Sequence, residues 1–285
     1  DLHLLSRRQR QMCIRDRLRE DRTLFDTVGY TEKADEVAAK LLEGRVAIIV
    51  DGTPFVLTVP FFFIENFQTP DDYYLNRYIT SFTRILRWIA FFIAMFLPGI
   101  YVALVTHHFS VLPSLFVFRL AVARAGVPFP IVAEVIIMML LFQIIKEAGL
   151  RLPQPIGTSM SLVSGLILGE AAVGAGIASR ITIVVVALSA VCYFLIPKLY
   201  GAVSIWSIGI VITAAFFGIP GVILISVVLL SHLAHLRSCE YQYLFPLGTL
   251  NRYKFKDIIM RGRLDEISKD IVGKDGKNEP KESYS

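Results

Sequence analysis

The chain has 285 residues and a formal net charge of +5, and 54% of its residues are hydrophobic. An average soluble domain is about 45–50% apolar. The mean hydropathy of +0.58 and the gathering of charges at the two ends exclude an ordinary basic soluble protein and indicate a membrane block between polar ends. Because the basic residues flank apolar segments, the net charge is not evidence of nucleic-acid binding, and no nucleic-acid partner is expected.

The N-terminal segment is unusual. Ser6–Arg17, SRRQRQMCIRDR, resembles a translated sequencing adapter, with an ordinary basic juxtamembrane tail as the alternative. Residues 1–17 are therefore interpreted as a non-native tail and left out of the fold. The first residue is Asp and not Met, which indicates a fragment or an odd gene start.

Residues 18–68 have the pattern of a soluble domain. Apolar residues recur at helical spacing through 34–42, and Gly44 ends the helix. Two β-branched runs, RVAIIV and FVLTVP, are joined through Asp51-Gly52, which predicts a β-hairpin. A hairpin alone is marginally stable, so we interpret this segment as the end of a cytoplasmic α+β domain whose remainder lies upstream.

Residues 69–87 predict an interfacial helix. Thr69 is a capping residue, Pro70 suits the first helical turn, and two acids follow at the positive end of the helix dipole. Three arginines are expected to set topology and face lipid headgroups, with ligand binding as the alternative: Arg77, Arg84 and Arg87.

Residues 88–236 form the predicted membrane domain. Four clear spans are expected at 88–109, about 130–145, 181–199 and 204–233. The last is long enough to be strongly tilted or to consist of two broken pieces. Four residues are candidate kinks: Pro98, Gly99, Pro220 and Gly221.

Residues 152–179 contain two prolines and five glycines and are apolar enough to enter a membrane. Basic residues lie before the first span and after the last, which predicts cytoplasmic termini and an even number of crossings. Four spans already satisfy that parity, so this segment is predicted to be re-entrant or interfacial. Arg119 and Arg124 then lie outside, which counts against the arrangement. The basic tail, 237–285, is expected to be cytoplasmic and partly disordered.

A small-residue stripe lies inside this segment. Gly157, Ser161, Gly165 and Gly169 recur every four residues, as in helices that pack closely in lipid. The stripe predicts a packing surface, either within the chain or between protomers. Glu170 beside it and Glu134 near the second span are candidate pore acids, with interfacial helix ends as the alternative.

Other polar groups carry weaker predictions. Gln143, Lys146 and Glu147 share a face near a span end and are interpreted as solvated. Two histidine pairs are interpreted as interfacial; metal binding is the alternative for His232 and His235, and a pH sensor for His107 and His108. No Walker A, GxGxxG or GxSxG motif occurs, and the three cysteines have no metal-ligand spacing, so no catalytic residue, cofactor, metal or enzyme activity is expected.

Several ordered stretches resemble the A subunit of the GerA-type spore germination receptors, across residues 30–238. These are LLEGRVAIIVDGTPFVLTVP, PDDYY, RILRWIAFFIAMFLPGIYVAL, GVPFP, EAGLRLPQPIG, AAVGAGIAS and HLAHLRS. The sequence departs from the family at Ala125, where an acid is expected, and in SCEYQYLFPLG after the last span.

The resemblance implies a membrane subunit of a nutrient germinant receptor in the spore inner membrane. It implies a channel-like homo-oligomer with a transporter-like B subunit and a lipoprotein C subunit, coupling nutrient sensing to ion release. A stage V sporulation AF-like accessory subunit and a secondary transporter are the alternatives. The expected fold is an α-helical multi-pass membrane protein with the remnant of an N-terminal α+β domain.

Overall fold

The computed structural model describes residues 12–18, 23–151, 156–239 and 241–247. The described chain is mostly helical and divides into two compact units. Unit 1 comprises the described parts of Asp1–Ile85 and Leu233–Ser285, and unit 2 is Leu86–His232. Most of the predicted tail, residues 248–285, lies outside the described residues.

Unit 1 contains a three-stranded antiparallel sheet in the order β1-β3-β2. Its strands are β1 (Gly29–Thr31), β2 (Val46–Ile49) and β3 (Val56–Val59). Helix α2 (Ala34–Leu42) connects β1 to β2 and packs against the sheet. Val46 pairs with Val59 and Ile49 with Val56, which confirms the predicted hairpin. Gly52 has φ +84° in the turn, a conformation that glycine adopts without a steric penalty.

A buried ion network fixes α2 and the following loop onto the sheet. Glu65 lies 2.5 Å from Arg45 Nη1 and 3.4 Å from Lys40 Nζ. Lys40 also donates to Thr58 Oγ1 of β3 at 3.2 Å. Burial raises the pKa of Glu43, which pairs with Arg45 at 2.8 Å, and the arginine opposes that rise. The charges are thus paired where they are withdrawn from water, as buried charges must be.

Part of the N-terminal segment also joins unit 1. Residues 12–18 form helix α1, and Ile14 and Leu18 pack against a core of Val28, Leu57 and Val59. Ile14 and Leu18 are therefore part of the packed unit, and the interpretation of residues 1–17 as a non-native tail stays a prediction.

The segment after the last helix also folds into unit 1. Its short strands β4 (Arg237–Ser238) and β5 (Tyr241–Gln242) form a second sheet. Ser238 Oγ donates to Thr27 O at 2.6 Å and accepts the Phe61 N–H at 2.9 Å. Tyr243 is fully buried, its carbonyl accepts the Phe63 N–H at 2.9 Å, and burial raises the pKa of its phenol. Unit 1 is thus assembled from both sides of the membrane block in the sequence.

The predicted interfacial helix is divided. Pro70–Tyr73 is one turn of 3-10 helix with Thr69 at its N-cap, and the Asp72 carboxylate accepts the Thr69 N–H. Helix α3 then runs without interruption from Arg77 to Thr106. Arg84 is fully buried and donates from Nε to Asp72 Oδ2 at 3.2 Å. The prediction that Arg84 faces lipid headgroups is therefore wrong.

Unit 2 contains six helices of sixteen or more residues among its described residues, counting α3, and one short helix. They are α3, α4 (Ser114–Arg124), α5 (Ile131–Arg151), α6 (Ile156–Gly174), α7 (Arg180–Leu195), α8 (Tyr200–Phe217) and α9 (Ile219–His235), the last ending in unit 1. Arg77–Thr106 and Pro197–Phe217 are long and apolar enough to cross a membrane, and Arg180–Leu195 and Ile219–His235 are shorter apolar helices.

Helix directions follow from contacts at the two ends of this bundle. At the Glu134 end, the starts of α5 and α7 meet, because Ser179 N–H donates to Glu134 Oε1 at 2.5 Å. At the Lys146 end, the Lys146 ammonium near the end of α5 lies 3.5 Å from the ring centre of Tyr200 at the start of α8. Helices α5 and α7 therefore run in the same direction, and α6 returns the chain between them.

This path of α6 differs from the expected re-entrant or interfacial segment. The expectation of four spans takes 204–233 as a single span, whereas the structure divides it at Gly218, which has φ +66°. The rings of Trp206 and His232 are 6.1 Å apart, so α9 runs back along α8. A straight helix would separate these residues by about 39 Å.

Candidate functional site in the helical bundle

The first candidate feature is the proline inside α3. Pro98 has no N–H, so the carbonyl of Ala94, four residues earlier, loses its helical donor. Ser189 Oγ of α7 donates to that carbonyl at 2.8 Å, and Tyr193 OH donates at 3.3 Å. All of these residues are buried or lie in the helix interior. Neighbouring hydroxyls therefore replace the missing hydrogen bond, as lipid-embedded helices with proline require.

Gly99, the next residue, is a point of close helix packing. A Cβ atom there would lie 2.4 Å from Cγ2 of Ile210, a fully buried residue of α8. Glycine thus permits α3 and α8 to approach. Pro98 and Gly99 are thus a site of interhelical contact within α3, and the kink expected there stays a prediction.

Glu134 lies in a buried polar cluster. The side chain is fully buried, its Oε2 lies 3.5 Å from Arg124 Nε, and Ser179, whose N–H it accepts, caps α7. Thr182 Oγ1 lies 3.0 Å from both Ser179 Oγ and Tyr101 OH. The cluster therefore ties the ends of α3 and α4 to the starts of α5 and α7. This environment favours a structural role for Glu134; its role as a pore acid stays a prediction.

The small-residue stripe lies on α6. A Cβ atom on Gly165 would contact Phe142 of α5 at 3.6 Å, and one on Gly169 would contact Ile183 of α7 at 3.7 Å. Both are ordinary van der Waals distances, so these glycines face neighbouring side chains of the same chain. Gly157 and Ser161 lie on the α6 backbone, and their surroundings are outside the described residues. Glu170 is exposed.

The two histidines after α3 contact the turn between α8 and α9. His107 Nε2 lies 2.8 Å from the Ala215 carbonyl, and a Cβ atom on Gly218 would lie 2.7 Å from His108 Cε1. Pro220 lies in the first turn of α9, where its missing N–H is tolerated. A Cβ atom on Gly221 would lie 2.4 Å from the Thr213 carbonyl oxygen, so glycine is required for the tight reversal.

Sequence reasoning missed the organisation of the Lys146 end. Gln143 accepts from Ser204 Oγ at 2.7 Å, and the Lys146 ammonium lies against three aromatic rings: those of Tyr193, Phe194 and Tyr200. The predicted solvated helix end is therefore wrong for the Lys146 ammonium, which is closed off from solvent, whereas Gln143 is half-buried and Glu147 is exposed. The available signal was a pair of tyrosines: Tyr193 lies in the last turn of the apolar helix α7, and Tyr200 follows five residues after that helix ends.

No catalytic arrangement emerges from these contacts. Among the residues that the structure describes, no group of three or more His, Cys, Asp or Glu side chains is placed to hold a metal ion. His232 instead packs against Trp206.

Comparison with known proteins decides the family. The profile of the Bacillus/Clostridium GerA spore germination proteins matches residues 6–270. The chain belongs to the GerA family. The resemblance to A subunits agrees with the names of two relatives, spore germination proteins KA and A1.

Three relatives illustrate the match. Spore germination protein KA of Bacillus subtilis (strain 168) is 40% identical over 93% of this chain and 51% of its own length. Spore germination protein A1 of that strain is 36% identical over 90% of this chain and 53% of its own length. The uncharacterized membrane protein YfkQ, also of that strain, is 41% identical over 83% of this chain and 47% of its own length. The chain thus spans about half the length of the curated relatives that it matches. No solved structure matches it significantly.

Proposed function

We propose that this chain is the membrane half of an A-type subunit of a nutrient germinant receptor. Membership of the GerA family over residues 6–270 carries the proposal. In the proposed receptor, the chain forms a channel-like homo-oligomer in the spore inner membrane and assembles with a B-type transporter-like subunit and a C-type lipoprotein. Nutrient binding to the complex is then coupled to ion release. Unit 1 serves as the end of a cytoplasmic α+β domain.

The proposed membrane arrangement has six crossings: α3 and α5 to α9. Two observations support an even number. Unit 1 contains chain from before and after unit 2, and a folded polar unit lies on one side of a membrane. Within unit 2, α6 returns between α5 and α7, and α9 returns along α8. Basic residues of unit 2 near the Lys146 end, among them Arg87, Arg151 and Lys198, favour a cytoplasmic location for that end.

The arrangement weakens the case for a secondary transporter. That alternative needed helices broken near the bilayer midplane. Here α3 continues through Pro98, and Gly218 is a turn between two helices at the Glu134 end. A channel needs no such break.

Two experiments test the proposal. Spores lacking this gene, and spores complemented with it, are compared for nutrient-triggered K⁺ release; loss and recovery of the response to one nutrient class is expected. Unchanged release with every nutrient overturns the receptor role and favours a stage V sporulation AF-like role. Substrate-driven flux by the purified protein alone favours the transporter.

The topology has its own test. Single cysteines at Gly149 and at Ala175, an exposed residue between α6 and α7, are labelled in intact cells with an impermeant reagent. Six crossings predict labelling at position 175 only, because α6 separates the two positions. If both positions are labelled in intact cells, or if both are labelled only after the membrane is permeabilised, the two lie on the same side and α6 does not cross.

A further inference from the structure

A narrow slot runs along the side of unit 2. It has a volume of about 580 Å³ and lies between α5, α6, α7 and the start of α8. Its lining is almost wholly apolar and includes Gly165, Ala187 and Tyr193, while exposed rim residues Val191 and Phe194 leave it open to the outer surface of the bundle. In a membrane, such an opening faces lipid.

The length and the lining of the slot indicate what enters it. The lining extends along α7 from Arg180 to Phe194, which is about 21 Å at 1.5 Å per residue. A long, almost wholly apolar slot that opens sideways onto lipid suits one extended hydrocarbon chain.

A positive charge lies at one end of the slot. The Lys146 ammonium is closed off from solvent and has no hydrogen-bond partner among the described residues. The ring centres of Tyr200, Phe194 and Tyr193 lie 3.5, 4.7 and 5.3 Å from it, so aromatic faces hold the cation without accepting its protons in ordinary hydrogen bonds. A buried ammonium is stabilised much more by an anionic oxygen than by rings alone.

We propose that the slot binds one acyl chain of an anionic phospholipid, and that its phosphate reaches Lys146 when the exposed Phe194 ring, 4.7 Å from the ammonium, turns aside. The tail extends along α7 past Ala187 toward Arg180. The inference rests on the membrane placement proposed above, but not on the channel or the receptor partners. Since Lys146 lies at the end proposed to be cytoplasmic, the lipid comes from the cytoplasmic leaflet.

The full-length protein, purified alone in mild detergent, is titrated with phosphatidylglycerol and with phosphatidylcholine of the same acyl chains. Native mass spectrometry counts the lipids bound. The expected result is one tightly held phosphatidylglycerol, with Lys146→Gln weakening its affinity about ten-fold or more because a charge-assisted hydrogen bond is lost. Lys146→Arg should retain binding, and so should the matched control Lys198→Gln, which removes an exposed lysine near the same end.

A second pair of variants tests the tail. Ala187→Phe fills the slot and should reduce retention as strongly as the lysine change, whereas Leu188→Phe adds bulk at the neighbouring, exposed position and should not. If the variants fold poorly, the wild-type protein still decides the matter. A phosphatidylglycerol with a photoreactive acyl chain should label peptides within Arg180–Leu195.

Several results overturn the assignment. Equal retention by Lys146→Gln and wild type removes the phosphate contact, and labelling confined to other helices removes the tail site. Displacement of phosphatidylglycerol by equimolar oleate, with the same dependence on Lys146, assigns the slot to a free fatty acid. Disulfide formation between Val191→Cys copies in membranes shows that a second copy covers the slot. Since lipid retention is measured without partners or nutrient, it is independent of the proposed receptor function.

Discussion

The Ala94 carbonyl offers a quantitative test of how unit 2 accommodates Pro98. Ser189→Ala leaves Tyr193 OH at 3.3 Å from that carbonyl, and Tyr193→Phe leaves Ser189 Oγ at 2.8 Å. Each single variant therefore keeps one donor, and we expect each to lose about 0.5–1 kcal/mol of stability. The double variant leaves a buried carbonyl without a donor, at an additional cost of about 1–3 kcal/mol. The two changes should thus be more than additive.

The measurement is a double-mutant cycle. Free energies of unfolding are obtained for the four proteins by titrating SDS into mixed micelles. The matched control repeats the cycle with Pro98→Ala, which restores a backbone N–H four residues after Ala94. There the coupling should disappear, since the helix itself supplies the donor. Additivity with proline present, or the same coupling in both backgrounds, refutes the reasoning.

Three further predictions use the same preparation. Gly99→Ala should cost about 1–3 kcal/mol by overpacking against Ile210, and Gly99→Ala with Ile210→Ala should cost less than the sum; strict additivity would show that the contact is absent. Glu134→Ala should lower the thermal midpoint more than Glu134→Gln, since an amide oxygen still accepts the Ser179 N–H; equal losses would mean that the charge pair with Arg124 alone matters. Because burial raises the pKa of Tyr243, the unfolded phenol ionises first as pH rises above about 10, and stability present below that pH is lost above it. The thermal midpoint of the wild type should therefore fall more steeply than that of Tyr243→Phe between about pH 9 and 11, the range around the ordinary pKa of a phenol. Parallel curves for the two proteins would contradict this.

Local patterns in the sequence determined several elements of this protein directly. The Asp51-Gly52 turn between two β-branched runs predicted the β2–β3 pairing, because turn geometry and strand propensity are properties of a few neighbouring residues. The apolar blocks, the basic flanks and the ordered family stretches likewise indicated a membrane protein of the GerA family without reference to any contact.

The number of passes was decided by tertiary structure. Hydropathy shows an apolar block at 204–233 but does not show whether the chain continues or reverses at Gly218, since both paths bury the same residues in lipid. The reversal is evident from contacts between α8 and α9, such as that between Trp206 and His232. That reversal adds one crossing to the expected four, and α6 adds another, so the six crossings proposed here are again an even number.

The surroundings of the polar residues were also beyond the sequence. Glu134 and Lys146 are each compatible with water, a pore or a buried partner when only their spacing along a helix is known. Their partners lie far away in sequence: Ser179 is 45 residues from Glu134, and Tyr200 comes from another helix than Lys146. Composition and periodicity identify which segments enter a membrane because lipid acts on each segment separately, whereas the environment of a single charge depends on which helices the fold brings beside it.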